Sequence, residues 1–475
     1  MWLRATSCIG KALRRLARSQ ILGVQILGAA VAGAVVVTPV SAETLADALI
    51  SAYRQSHLLE QNRATLRAAD EDAAQAVAAL RPVLEWAAGY DYGKSYLYAG
   101  LPRDRQTASA QLQASVTLFD FGRRRMNVDM KRESVLGTRE ALRMVEQQVL
   151  LSAVQAYVDV RGTAAQVAIN RDSLRACTEV VTATRARLAV GDVTRTDLAQ
   201  AEAAEAEARA GLVAAEGDHR LAREAYRAAV GRLPGTLAPV PKLPGLPKSL
   251  DAARQTALRN NPAVRQAQHM LAVSEMGIDA AAADRRPTLS ASAGFLNYEG
   301  GQQTTRAGIA LSQTLYSGGQ KSSLHRQALA GRDAARAALQ QTGVTLAEDV
   351  AQVWTRIEVY RSQTGAYDDQ VRAAEAAWTG VREEAKLGAR TTLDVLDAEQ
   401  TLLRARSDRI AAGASLEVAY YQLLSTMGLL TAEDLKLGIP TYDPAAYYNA
   451  VQNAPYTSSR GQSLDRVLRA IGKKE

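Results

Sequence analysis

The residues best placed to do chemistry are Asp394 and Asp397, in the run Thr391-Thr392-Leu393-Asp394-Val395-Leu396-Asp397. Three positions apart on a helix, two side chains share one face. Paired carboxylates there can present charge, or they can hold the helix start. Thr391 with Asp394 three residues later is a capping-box pattern. Asp397 is the kind of early acid that a helix dipole favours. Gly388 suits a left-handed cap for whatever helix comes before. The stretch therefore reads as the tip of a helical hairpin, with both readings of the two acids open.

Nothing else in the chain points to covalent chemistry. His57, His219, His269 and His325 are scattered and lack metal-ligand spacing. There is no Gly-x-Ser-x-Gly elbow, and Gly318-Gly319-Gln320-Lys321-Ser322 lacks the Gly-Lys-Ser/Thr of a phosphate loop. Cys177 reads as a small packing residue. No catalytic residue, metal or cofactor is expected, and no enzyme.

The elements that carry the tip occur twice. Val190-Gly191-Asp192-Val193-Thr194-Arg195-Thr196-Asp197 repeats the pattern 197 positions earlier, pairing Gly191 with Gly388, Thr194 with Thr391 and Asp197 with Asp394. The same shift pairs Phe119 with Tyr316, Gly122 with Gly319 and Gly231 with Gly428. Upstream the shift is 205, pairing Leu45 with Leu250 and Arg81-Pro82 with Arg286-Pro287. The first copy thus holds 8 extra residues, assigned to an exposed loop around Lys94–Arg105. Repeats of this length describe the whole fold.

Composition agrees with long helices: aromatics are 5% and charged residues 22%. The formal charge is +8, but Arg4, Lys11, Arg14, Arg15 and Arg18 lie in a leader-like segment. The remaining +3 gives no reason to expect nucleic acid as a partner. Residues 1–42 read as a secretory signal: a basic start, the apolar run Ile21–Val37, and Val40-Ser41-Ala42 for cleavage. Glu43–Leu80 reads as one helix, with Leu45, Ala48, Leu49 and Ala52 at helical spacing. Gly122–Val190 and Gly319–Leu387 are proline-free stretches of 69 residues, each about 100 Å long if continuous. Shorter return helices follow each tip. Residues 43–233 form one repeat and 250–430 the second. A Pro-rich linker, 234–249, joins them, and 431–475 is a tail, loosely ordered past about Asn453.

Between the helices the period changes to two, at 83–120 and again at 288–316. Leu84, Trp86, Ala88, Tyr90 and Tyr92 alternate with smaller or polar residues, and Gln111–Leu118 alternates strictly. Leu289, Ala291, Ala293 and Phe295 repeat this, as do Ala307, Ile309 and Leu311. Four strands with one apolar face suit a transmembrane barrel, and aromatics such as Trp86, Tyr96, Tyr98, Phe119, Phe121 and Tyr316 fall near strand ends, as in interfacial girdles. Four strands cannot close a barrel, so several chains must share one; three copies give about twelve strands.

The duplicated plan, with Thr314-Leu315-Tyr316-Ser317-Gly318-Gly319 and Thr391-Thr392-Leu393-Asp394-Val395-Leu396-Asp397-Ala398, resembles the TolC family of outer-membrane efflux proteins from about Glu43 to Asn453. The resemblance implies a mainly α chain with a small β part. It also implies a homotrimer with a shared 12-stranded transmembrane β-barrel, four strands per chain, above a long periplasmic coiled-coil helical barrel. The implied partners are outer-membrane lipid, an inner-membrane ABC exporter, a periplasmic adaptor and a transported protein. Within the family the chain is most similar to members serving type I secretion of large toxins. Drug efflux, or a soluble periplasmic coiled-coil adaptor, are the alternatives. The family pattern makes Asp394 and Asp397 stacked charge rings at a constriction, where crowding would raise the average carboxylate pKa. It makes Arg390, with Thr196 and Asp197 on the other tip, a closure network. A tyrosine expected before the turn falls at Ala385.

Overall fold

The computed structural model describes residues 42–96, 102–241, 245–299, 301–452 and 466. Almost all of the leader-like segment, Tyr98, and the tail beyond 452 except Arg466 lie outside the described residues.

Two short helices open the described chain, α1 (Leu45–Gln55) and α2 (His57–Ala78), followed by strands β1 (Val83–Tyr96) and β2 (Pro102–Phe119). Next come the long α3 (Arg123–Ala189) and its return α4 (Arg195–Val230). The plan then repeats as α5 (Leu250–Asn260), α6 (Pro262–Ala283), β3 (Thr288–Tyr298), β4 (Gln303–Ser312), α7 (Gln320–Lys386) and α8 (Thr392–Thr426), and a short α9 (Ala446–Val451) ends it. Both α3 and α7 have 67 residues, so each runs about 100 Å at 1.5 Å per residue. Their starts and ends keep the shift of 197.

Two expectations are corrected. The helix expected over Glu43–Leu80 is two helices, broken at Ser56, whose side chain accepts a hydrogen bond from the Leu59 amide and caps α2. Asn261 does the same between α5 and α6, with Pro262 in the first turn of α6, where a missing N–H costs nothing. The second correction concerns the extra length in the first copy. Lys94–Tyr96 and Pro102–Arg105 are strand, in continuous antiparallel register with each other. Residues 97–101, the middle of the expected loop, lie outside the described residues.

The four strands form one antiparallel sheet in the order β1-β2-β3-β4. Directly paired residues share a face. One face carries Trp86↔Leu112↔Phe295 and Ala291↔Ile309, with Leu289↔Leu311. The other carries Glu85↔Gln113↔Gly294↔Arg306 and Ser115↔Ser292↔Gly308. A register shift between Thr117 and Phe119 puts Phe119, not Leu118, opposite Leu289, as a bulge with one extra residue does.

The main core lies midway along the helices and away from the sheet. Tyr157, Leu150, Tyr226, Ile357, Leu423 and Met427 are among its buried members. The Tyr157 hydroxyl lies 2.9 Å from the Glu43 carbonyl oxygen and 2.7 Å from that of Ala238, and Tyr226 donates to the Glu43 carboxylate at 2.5 Å. These bonds tie the start of the described chain to the stretch after α4.

Candidate functional site: hairpin tips and an amphipathic sheet

Each long helix ends in the same way. Gly191 and Gly388 have φ of 81° and 78°, a left-handed conformation that costs glycine little. The Asp192 amide donates to the Arg187 carbonyl at 3.0 Å, and the Ala389 amide to the Glu384 carbonyl at 2.9 Å. Those bonds satisfy carbonyls that the helix ends would leave bare. The chain then re-enters a helix through a full capping box, Thr194 with Asp197 and Thr391 with Asp394. Asp394 Oδ2 accepts from the Thr391 amide at 2.9 Å and from its hydroxyl at 2.8 Å.

These bonds hold the Asp394 carboxyl below the usual carboxylate range, the backbone bond being the larger cause, and the same holds for Asp197 through Thr194. Within one chain the sign is thus opposite to that expected from crowding. The cap and the charge role coexist, because only Oδ2 of Asp394 is used by the cap. Asp397 is exposed one turn further on.

Arg390 pairs with Glu384 of its own hairpin, Nε to Oε2 at 2.8 Å. Among the described residues no hydrogen bond joins Arg390 to Thr196 or Asp197; Thr196 is exposed and Asp197 is engaged by Thr194. The two hairpins are instead linked by Arg187, whose Nη2 donates to the Ala385 carbonyl at 2.7 Å, and by Arg382 with Glu179 at 2.8 Å. Sequence reasoning passed over both links. One signal was present: Arg187 and Glu384 are equivalent under the 197 shift yet opposite in charge.

At the other end, the sheet leaves its apolar residues uncovered. Trp86 is 72% exposed, and Ile309 and Leu311 are both 71% exposed. Among the described residues β1 and β4 are the edge strands of the sheet, the places where another strand can pair. Water is a poor environment for such a face, whereas lipid suits it. The tool kit of the chain is thus a lipid-suited sheet at one end and charged hairpin tips at the other. A family model described as outer membrane efflux protein matches residues 49–232 and 253–429. The chain belongs to that family.

The chain is 34% identical over 419 residues to the outer membrane efflux protein BepC of Brucella suis biovar 1 (strain 1330), covering 87% of this chain and 91% of that one. It is 27% identical over 357 residues to the alkaline protease secretion protein AprF of Pseudomonas aeruginosa, covering 70% and 72%. The fold matches a crystal structure of CusC, described in connection with transmembrane channel formation, with a TM-score of 0.73 at 20% identity over 81% of this chain and 92% of that one. As a member of the TolC-type family the chain is an outer-membrane efflux channel extending into the periplasm, not an enzyme and not a soluble adaptor.

Of the aromatics marked in the sequence, Trp86 and Phe119 stand exposed on the sheet. Phe121 follows the end of β2 with a φ of 54°, its ring edge-on to Phe119 at 4.7 Å and beneath the Arg286 guanidinium. Tyr316 is 88% exposed in the segment between β4 and α7. Among the described residues no helix is long and apolar enough to cross a membrane, and no cluster of His, Cys, Asp and Glu could hold a metal.

Proposed function

We propose that three copies of this chain pool their sheets into a closed 12-stranded barrel, and that the duct serves type I secretion. The observation that carries the trimer is the sheet itself: one apolar face, one polar face and two open edges. Joining β4 of one copy to β1 of the next removes every edge and leaves the polar face, with Gln111, Gln113, Ser292 and Arg306, lining a wet bore. The stretches 43–233 and 250–430 then act as two equivalent segments of wall per chain, six in the trimer, with 234–249 as their linker and 431–475 as a tail. Residues 1–42 are the leader that directs export.

Asp394 and Asp397 form the constriction, with six carboxylates from three chains that favour cations. Arg390 on one hairpin, with Thr196 and Asp197 on the adjacent one, closes the tip. Gly191 and Gly388 shape the turns. Trp86, Phe119, Phe121 and Tyr316 sit at the membrane interface. An inner-membrane ABC exporter supplies the energy and a periplasmic adaptor seals the junction, in keeping with a sequence that carries no phosphate-loop motif. The cargo is a large secreted protein of the repeat-rich toxin class. Support for a protein cargo comes from similarity to relatives named for protease secretion, AprF and PrtF of Dickeya chrysanthemi.

A second reading, a duct for small drugs, is favoured by the higher identity to BepC, which is named as an efflux protein. Deleting the gene separates them. Loss of a large protein from the culture supernatant, with unchanged drug sensitivity, supports secretion. Drug sensitivity with an unchanged set of secreted proteins overturns it.

A further inference from the structure

Close to the tip, the two hairpins do not pack fully. A cavity of about 210 Å³ opens in the seam where α3 faces the end of α7 and the start of α8. Trp378, Leu396, Val180 and Ala385 give it an apolar wall. Its cations are already engaged. Arg382 pairs with Glu179 and lies over the Trp378 ring, Arg187 bonds the Ala385 carbonyl, and Lys386 pairs with Glu383. Glu399 is different. It is 8% exposed, and no basic side chain among the described residues comes within ion-pair distance of it. Burial pushes its pKa up, against a smaller opposing effect of the neighbouring Ser173 hydroxyl.

Arg406 and Arg382 act on its charge only from beyond ion-pair distance; a buried carboxylate without a contacting counter-charge is costly, and a bound cation relieves that cost. The space is sufficient: a dry cavity of about 150 Å³ can hold benzene, so this one suits a slightly larger body. We propose that the seam is a binding site for a small hydrophobic amine, with its apolar body against Trp378 and Leu396 and its ammonium on Glu399. An amine seated there touches both hairpins at once and holds them together. The site stands on contacts within one chain and goes beyond the duct function: transport assays do not test it, and its failure leaves the trimer reading untouched.

The test uses the full chain in lipid nanodiscs and two probes of equal shape, 1-naphthylmethylamine and the neutral 1-naphthalenemethanol, followed by calorimetry. The amine is expected to bind about tenfold more tightly than the alcohol, in line with a charge-assisted hydrogen bond. In Glu399→Gln that preference falls to near unity. Ala385→Phe fills the cavity and loses both probes. Ala183→Leu fills it from the α3 side and serves where Ala385→Phe alters helix content. No binding to the parent chain, equal binding of amine and alcohol, or undiminished binding in a well-folded filled variant each overturns the site.

Discussion

Arg187 Nη2 donates a hydrogen bond to the Ala385 carbonyl oxygen at 2.7 Å, joining the end of α3 to the end of α7. The Ala385 carbonyl belongs to the last turn of its helix, where carbonyls lack helical partners and an arginine is a favourable neighbour. The bond spans the place where the family resemblance leads one to expect a tyrosine. In Arg187→Ala the hairpins lose one of the polar links nearest their tips, a loss of about 1–1.5 kcal/mol. The expected result is a larger single-channel conductance in planar bilayers, because the tips separate more readily. An unchanged conductance, with the fold intact, removes Arg187 from tip closure.

The acids at the tip make a separable prediction. Asp394→Ala removes charge and the capping box together, whereas Asp397→Ala removes charge alone. Thr391→Ala weakens the cap, at about 1 kcal/mol, and keeps both charges. Cation selectivity from reversal potentials is expected to fall in Asp397→Ala and further in the double Asp394→Ala/Asp397→Ala variant, and to hold in Thr391→Ala. The Thr391 bonds lower the Asp394 pKa. Its contribution to stability is therefore present above the ordinary aspartate pKa and is lost only as the pH drops through the lowered one. Selectivity equal to the parent in the double variant would refute the ring.

Much of this could be read from residues. The shift of 197 fixed both long helices and both tips, because glycine caps and threonine–aspartate boxes are local chemistry that recurs. The breaks at Ser56 and Asn261 were harder. Apolar spacing continues through each, and the break is a single capping residue; only Asn261-Pro262 advertises a helix start. Sheet pairing was legible as alternation, but not the slip at Thr117–Phe119, which depends on how β2 meets β3. The Arg187 bond was hidden for another reason. Its acceptor is a backbone carbonyl, so the side chain of Ala385 carries no trace of it.

Asp70 on α2 was also invisible from spacing. It is fully buried, neither carboxyl oxygen has a hydrogen-bond partner, and burial raises its pKa to about 6, against a smaller opposing effect of Arg139. An acid whose folded pKa is raised binds its proton more tightly when folded. Stability therefore falls as pH rises from about 4 to about 6, by an amount on the order of 2–3 kcal/mol, and is level above that. Asp70→Asn is expected to raise the thermal midpoint at pH 7.5 and leave it unchanged at pH 4. Equal effects at both pH values would mean that ionisation of Asp70 is not the cause.

The sheet offers a test in which adjacent residues have opposite outcomes. Ile309 lies on the apolar face opposite Ala291, and Gly308 on the polar face opposite Ser292. A Cβ added at Gly308 meets no atom within 4 Å, so the first atom of the new side chain has room. An arginine facing lipid costs about 2–4 kcal/mol at the bilayer midplane, whereas one facing a water-filled bore keeps its hydration. Ile309→Arg is thus expected to reduce the heat-sensitive trimer band and the outer-membrane fraction, while Gly308→Arg assembles like the parent and shifts conductance. The order depends only on which face meets lipid. If Ile309→Arg assembles normally and Gly308→Arg does not, the faces are reversed and the apolar side lines the bore. Loss of assembly in neither variant would mean that β4 does not contact lipid.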